Sequence, residues 1–309
     1  MANSAVQAKH RQRLTKDDVV FNTFNYILIF LFVAVTLYPL VYVVSASISE
    51  PTKVNSGQMW LWPVGFTTIG YEKVFKDPDI WRGYANTIYY TVFGTIINLA
   101  FTLPCAYALT KRTLPFKTLI NFLILFTMFF SGGLIPLYML VNNLKLLDTV
   151  WAVVLPTAVS AYNVIITRTF METSIPGGLE EAAEIDGCSP FGVFFRIVLP
   201  LSSPIIAVMA LFYGVGHWNS YFNEMIFLSD HAKYPLQVIL RELIIITQIS
   251  GGDGATISNT EAKTAAEMQQ LAGVIKYSVM IVSTLPIIVV YPFLQRFFVK
   301  GVMIGSIKG

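Results

Sequence analysis

Charge is scarce in this chain. Asp, Glu, Lys and Arg make up 13% of its 309 residues, about half of the ~25% usual in soluble domains. Apolar residues make up 55%, and the mean hydropathy is +0.62. Several apolar runs reach about 20 residues, the length that crosses a bilayer as a helix. An ordinary soluble domain is excluded, and a polytopic helical membrane protein is indicated. Cysteine is nearly absent too. Cys105 lies in an apolar run and Cys188 in an acidic stretch. The topology below puts them in different compartments, so no disulfide is expected and both read as small packing residues. No G-x-x-x-x-G-K-[ST] occurs, so the chain is not expected to hydrolyse ATP alone. No Cys/His cluster has metal spacing, and no nucleophile elbow or paired-carboxylate site is evident. The chain therefore reads as no enzyme by itself, with no catalytic residue, metal or cofactor of its own. The net charge of +3 is small and gives no sign of a nucleic-acid partner.

What is present is a series of spans. Residues 1–24 are polar and carry Lys9, Arg11, Arg13 and Lys16, which predicts a cytoplasmic N-terminal segment. Spans are expected at 25–44, 85–109, 119–141, 150–167, 202–228 and 274–298. They make a transmembrane domain over 25–300, followed by a cytoplasmic tail at 301–309. The segment 50–84 should lie outside, with Trp60, Trp62 and Trp81 at the membrane interface. Residues 229–271 read as a long outer segment, with a loop at 251–254 and a short amphipathic helix at 261–271. Segments assigned inside hold 12 Lys and Arg against 7 Asp and Glu, and those outside hold 9 against 11. That bias supports both termini inside, which needs an even number of spans. Ser131, Gly132, Gly133 and Pro136 interrupt the third span. They mark either a close helix crossing, the simpler reading, or an unwound gate or kink.

The acidic stretch 174–200 lies on the cytoplasmic side between spans four and five. Ser174 and Pro176 read as a helix cap and first turn, and 179–185 as a short helix. Glu180, Glu181 and Glu184 offer acceptors to cations of a partner. Ala182 and Ala183 are small enough for close approach, and Gly187 supplies a permissive backbone just after the helix. Ser189 and Pro190 start a second helix, and Leu199-Pro200 redirects the chain into span five.

Glu181-Ala182-Ala183, Gly187, Ile197 and Leu199-Pro200 resemble the EAA motif of permease subunits in ABC-type importers. The spacing E-A-A-x3-G-x9-I-x-L-P is met without departure. The resemblance implies the type I importer permease fold, all-α with six spans and a cytoplasmic coupling helix between spans four and five. It implies that Glu180, Glu181, Ala182, Ala183, Asp186 and Gly187, together with Ile197, Leu199 and Pro200, couple to a cytoplasmic ATPase. ATP and Mg would sit on that partner, which would be present as two subunits. A second permease chain, related but different, and an extracytoplasmic sugar-binding protein are implied as well, all at the cytoplasmic membrane of a bacterium. Trp62-Pro63 with Phe66-Thr67, Tyr107-Ala108-Leu109 and Trp218-Asn219 resemble sugar-importer permeases, although Ser220 stands where an acid is common. The closing segment with Lys300, Gly301, Gly305 and Lys308 is similar to a tail that reaches the ATPase interface. Phe130 to Pro136 and Gly216 to Asn219 resemble the branch serving larger oligosaccharides.

Bland readings stand beside these. His217 reads first as a hydrogen-bonded bundle histidine and second as a substrate contact. Trp218 and Asn219, with Tyr221 and Asn223, either line a sugar path or pack helices. Glu224 is expected near a helix end, partly solvated. An ion-coupled secondary transporter of small polar solutes is the alternative function. It would need ionisable groups at mid-membrane depth, which the first four spans almost lack. A membrane scaffold or receptor is the third.

Overall fold

The computed structural model describes residues 16–249, Gly273 and 275–292. Among the described residues there are helices and no strands. Three helices are long and apolar enough to cross a membrane, and three bent pairs meet the same test together, giving six spans if each pair counts once. The architecture is all-α and polytopic, as expected.

Helix α1 (Lys16–Ser47) runs without a break through Pro39. It begins in the expected cytoplasmic segment, because Asp17 and Asp18 suit the positive end of a helix. Its apolar side chains are exposed, and burial is confined to Ser45, Ala46 and Ser47. There hydroxyls tie it down: Ser45 Oγ donates to the Leu61 carbonyl at 2.6 Å and Ser47 Oγ meets the Tyr71 hydroxyl at 2.8 Å. The segment after it carries two helices that the sequence reading left irregular, α2 (Pro51–Asn55) and α3 (Ile69–Lys76).

Helix α4 (Pro78–Thr110) is the central post, packed by later helices on several sides. It starts well before residue 85 because Asp77 accepts the Asp79 N–H at 2.9 Å and Pro78 opens its first turn. Small and polar residues recur on its buried side: Gly83, Thr87, Gly94, Asn98 and Thr102. That stripe lets neighbouring helices come close.

The next two spans are broken. Helices α5 (Lys117–Phe129) and α6 (Leu134–Asn143) meet at 114°. The simpler expectation of a close crossing at Ser131-Gly132-Gly133 is thus corrected. A Cβ on Gly132 would have nothing within 4 Å, and Gly133 turns the chain at φ +83° before Pro136 enters α6. Helix α7 (Val150–Val154) tightens into a 3₁₀ turn at Leu155–Thr157, and α8 (Ala161–Ser174) leaves it at 53°. Ser174 closes α8 and caps nothing after it, which corrects the helix start expected there.

Helix α9 (Gly177–Ile185) is followed by α10 (Pro190–Val193), a π turn at Phe194–Val198 and α11 (Leu199–Leu201). Helix α12 (Ser203–Asn219) departs from that run at 79°. Span five therefore stops at Asn219, and α13 (Phe222–Phe227) is separate. The long segment expected outside contains α14 (Leu236–Ile249), which the sequence reading missed. Its Leu236, Ile239 and Leu240 pack with Val74, Ile80 and Val279. Helix α15 (Ile275–Pro292) is the last described element.

The expected features at 251–254 and 261–271 lie outside the described residues, as do the end of span six and Lys300, Gly301, Gly305 and Lys308. Cys105 and Cys188 are free, and both take the packing role expected of them. Both pack against one buried cluster that includes Ala106, Tyr107, Ala183 and Val193.

Candidate functional site

Helix α9 is short and is held to the end of α4. Lys111, which follows the last turn of α4, forms an ion pair with Glu180 and stands 4.0 Å from Glu184. Its ammonium also lies 4.7 Å from the centre of the Tyr107 ring. Partial burial pulls the lysine down, but bonds to Glu180 and Tyr107 outweigh it and hold Lys111 above the ordinary lysine range. Glu180 is thus engaged within the chain, whereas Glu181 is exposed.

The end of α9 is a Schellman turn. The Cys188 N–H donates to the Ala183 carbonyl at 2.9 Å and the Gly187 N–H to the Glu184 carbonyl at 3.1 Å. Gly187 has φ +80°, a conformation that any side chain would strain. Ser189 then caps α10 by accepting the Gly192 N–H at 3.2 Å, with Pro190 in the first turn, as expected.

These turns sort the motif residues by direction. Ala183 is buried, and Ile197 and Leu199 pack against the same cluster. Glu181, Ala182, Asp186, Gly187 and Pro200 are exposed. Between them stand three large apolar side chains that the sequence reading passed over: Ile185 is 86% exposed, Phe191 78% and Phe195 61%. An isolated apolar residue on a charged turn was the available signal. Part of this segment packs on the bundle, and the same segment carries exposed apolar and acidic side chains.

At the other end of α12 the expected path residues point to different places. His217 Nε2 meets Asn98 Oδ1 at 2.7 Å, and Asn98 Nδ2 donates to the Thr157 carbonyl at 2.6 Å. Tyr213 bonds the Thr102 hydroxyl at 2.7 Å and accepts the Ser160 N–H at 3.3 Å. Asn98 and Tyr213 therefore satisfy backbone groups freed where span four breaks. This favours the bland reading of His217. The ring also lines a cavity of about 420 Å³ with Ser160, Gly216 and Ser220. Trp218 is buried, donates to the Ser283 carbonyl at 3.1 Å and meets Tyr84 edge-on, so it packs α12 to α15.

Asn219 and Tyr221 line a second cavity of about 430 Å³ with residues of α14 and α15. Asn223 is half-buried on α13. Glu224 corrects its expectation: it is 2% exposed and accepts from Ser220 Oγ at 2.9 Å. Asn98 and Gly94 were missed, although an asparagine inside an apolar span is itself a signal.

Residues 80–304 match the family described as the binding-protein-dependent transport system inner membrane component. The chain belongs to that family. This inner membrane component is 41% identical over 300 residues to Protein LplC of Bacillus subtilis, covering 97% of this chain and 99% of that one. It is 38% identical over 290 residues to the polygalacturonan/rhamnogalacturonan transport system permease protein YtcP of the same organism, covering 94% and 99%. A chain in the crystal structure of a bacterial ABC transporter involved in the import of the acidic polysaccharide alginate superposes with a TM-score of 0.82. That chain is 33% identical, with 93% of this chain and 99% of that one covered. The fold is that of an ABC importer permease.

Proposed function

We propose that this inner membrane component is the transmembrane permease of an ATP-driven importer of carbohydrates, oligosaccharides in particular. The observation that carries this is the lever: α9 is tied to the end of α4 by Lys111, while Glu181, Ala182 and Ile185 on α9 and Phe191 and Phe195 just after it stay uncovered. An apolar patch edged by acids suits a cleft on a cytoplasmic ATPase that offers apolar walls and cations. ATP and Mg act on that partner, present as two subunits. Their closure pushes the lever and reorients the spans. The broken third and fourth spans, with Ser131, Gly132, Gly133 and Pro136 at one break, give the bundle places to bend. A second, related permease chain completes the path, and a sugar-binding protein delivers cargo from outside. The lever and both chain termini face the cytoplasm of a bacterium, and the tail around Lys300, Gly301, Gly305 and Lys308 reaches the ATPase interface. The polygalacturonan/rhamnogalacturonan transport for which YtcP is named and the alginate import of the superposed transporter support a saccharide cargo.

The test is ligand-stimulated ATP hydrolysis by the purified complex across a panel of oligosaccharides with their binding protein. Stimulation by a subset, with uptake of the same sugars into vesicles, is expected. Uptake that persists without ATP and collapses with an ionophore would overturn the proposal in favour of ion coupling.

A further inference from the structure

The cavity of about 430 Å³ between the end of α12, α14 and α15 is lined by two cations, Arg241 and Lys276. Neither has an ion-pair partner among the described residues. Nearby acids are occupied elsewhere: Glu242 meets His231 at 3.3 Å, and Glu224 is bonded to Ser220. The lining described there contains no carboxylate. The Arg241 guanidinium lies over the Tyr221 ring, 5.7 Å from its centre. Lys276 lies 4.7 Å from the Tyr277 ring.

The remaining polar lining suits hydroxyl-rich ligands. Asn219 and Gln237 supply amides. The Ser283 and Thr284 hydroxyls donate to the Met280 carbonyl at 3.0 and 2.9 Å, which leaves their lone pairs free to accept. Two cations without an acid, amides, acceptor hydroxyls and an exposed tyrosine in one cleft match a sugar that carries a carboxylate. Among the described residues nothing else compensates the two charges.

We propose that this cavity binds the carboxylate of an acidic, uronate-type unit of the cargo, with Arg241 and Lys276 as its anion contacts. This rests on the importer reading above and adds the charge class of the cargo. Tyr221 and Asn219 then act as specificity residues on the path, whereas Trp218 packs helices.

The experiment uses the whole complex with its binding protein in vesicles, and trigalacturonate and its methyl ester as probes. Arg241→Gln and Lys276→Gln should each raise the KM for trigalacturonate about tenfold and leave the ester's uptake within twofold. Arg241→Lys should fall between. In the wild-type complex, trigalacturonate but not the ester should protect Lys276 from an amine-reactive label, read by mass spectrometry. That measurement stands even if a variant fails to assemble. Equal losses for both sugars, or no protection at Lys276, would overturn the proposal. A variant defect that appears only in vesicles containing phosphatidylglycerol, alike for both sugars, would also overturn it and assign the cations to a lipid headgroup. If the wild-type complex imports neither these probes nor any other saccharide with ATP, the importer reading itself fails.

Discussion

Nε2 of His217 and Oδ1 of Asn98 lie 2.7 Å apart, and the imidazole rests on Gly94, where a Cβ would fall 2.4 Å from that nitrogen. One asparagine thus joins three spans, since its amide also serves the Thr157 carbonyl. Asn98→Leu leaves a carbonyl and a ring nitrogen unpartnered. The expected cost is about 1–3 kcal/mol, toward the lower end where lipid-embedded alternatives exist. Gly94→Ala should cost more, because the ring must move. Unfolding midpoints of the purified complex in detergent read both. An Asn98→Leu protein that melts with the wild type would remove the network's structural role.

Lys111 pins the lever through Glu180 with both side chains mostly covered, 28% and 20% exposed. Lys111→Met and Glu180→Gln should couple by about 1 kcal/mol in a double-mutant cycle, weakening in high salt. On the proposed mechanism, each single variant also lowers the sugar moved per ATP hydrolysed. Strictly additive single effects, with an unchanged transport ratio, would show that the pair neither holds nor transmits.

Asp148 holds the loop after α13. It accepts the Ser229 and Asp230 N–H groups at 3.1 Å and pairs with Lys233. Its bond with Lys233 and those backbone donors hold the carboxyl below its ordinary value, and the same bond raises the lysine. A carboxyl depressed in the folded state contributes stability above its ordinary value of about 3.9 and loses it as pH falls through the lower folded value. The lysine's contribution is full below about 10.4 and is lost as pH rises through its raised folded value. Unfolding midpoints measured against pH should be flat between these limits for this pair. Asp148→Asn should remove this group's share of the slope on the acid side. An unaltered acid limb in that variant would count against the link.

Most of the fold could be read from the chain because its spans are written in uninterrupted apolar runs, as at α1 and α4. The lever was readable from Gly187 and Ser189-Pro190, whose backbone needs are local. What escaped was set by contacts distant in sequence. Helix α14 went unread inside the long segment 229–271, although Leu236, Ile239, Leu240 and Leu243 recur at helical spacing; what that face packs against, Val74, Ile80 and Val279, is distant in sequence. Glu224 looked solvated because its burial comes from the break at Ser220-Tyr221, which nothing in the run 202–228 announces. Glu180 and Glu181 look alike in sequence, and only the end of α4 at Lys111 separates the acid that holds the lever from the exposed one.

That separation gives the sharpest test of the coupling surface. Glu181 is exposed, so Glu181→Lys should leave the unfolding midpoint within about 0.5 kcal/mol of wild type, as for most surface changes. It should nonetheless lose the ATPase on co-purification, because it reverses a charge at the proposed docking face. Gly187 acts through the backbone instead. Gly187→Ala should cost about 1 kcal/mol for the left-handed residue. Gly187→Pro cannot adopt φ +80° and removes the N–H that bonds Glu184, so it should disorder the lever. The ATPase should then be lost together with local stability. If both Glu181→Lys and Gly187→Pro keep the ATPase bound and transport unchanged, α9 is not the docking element. The exposed side chains of Ile185, Phe191 and Phe195 would then need another partner.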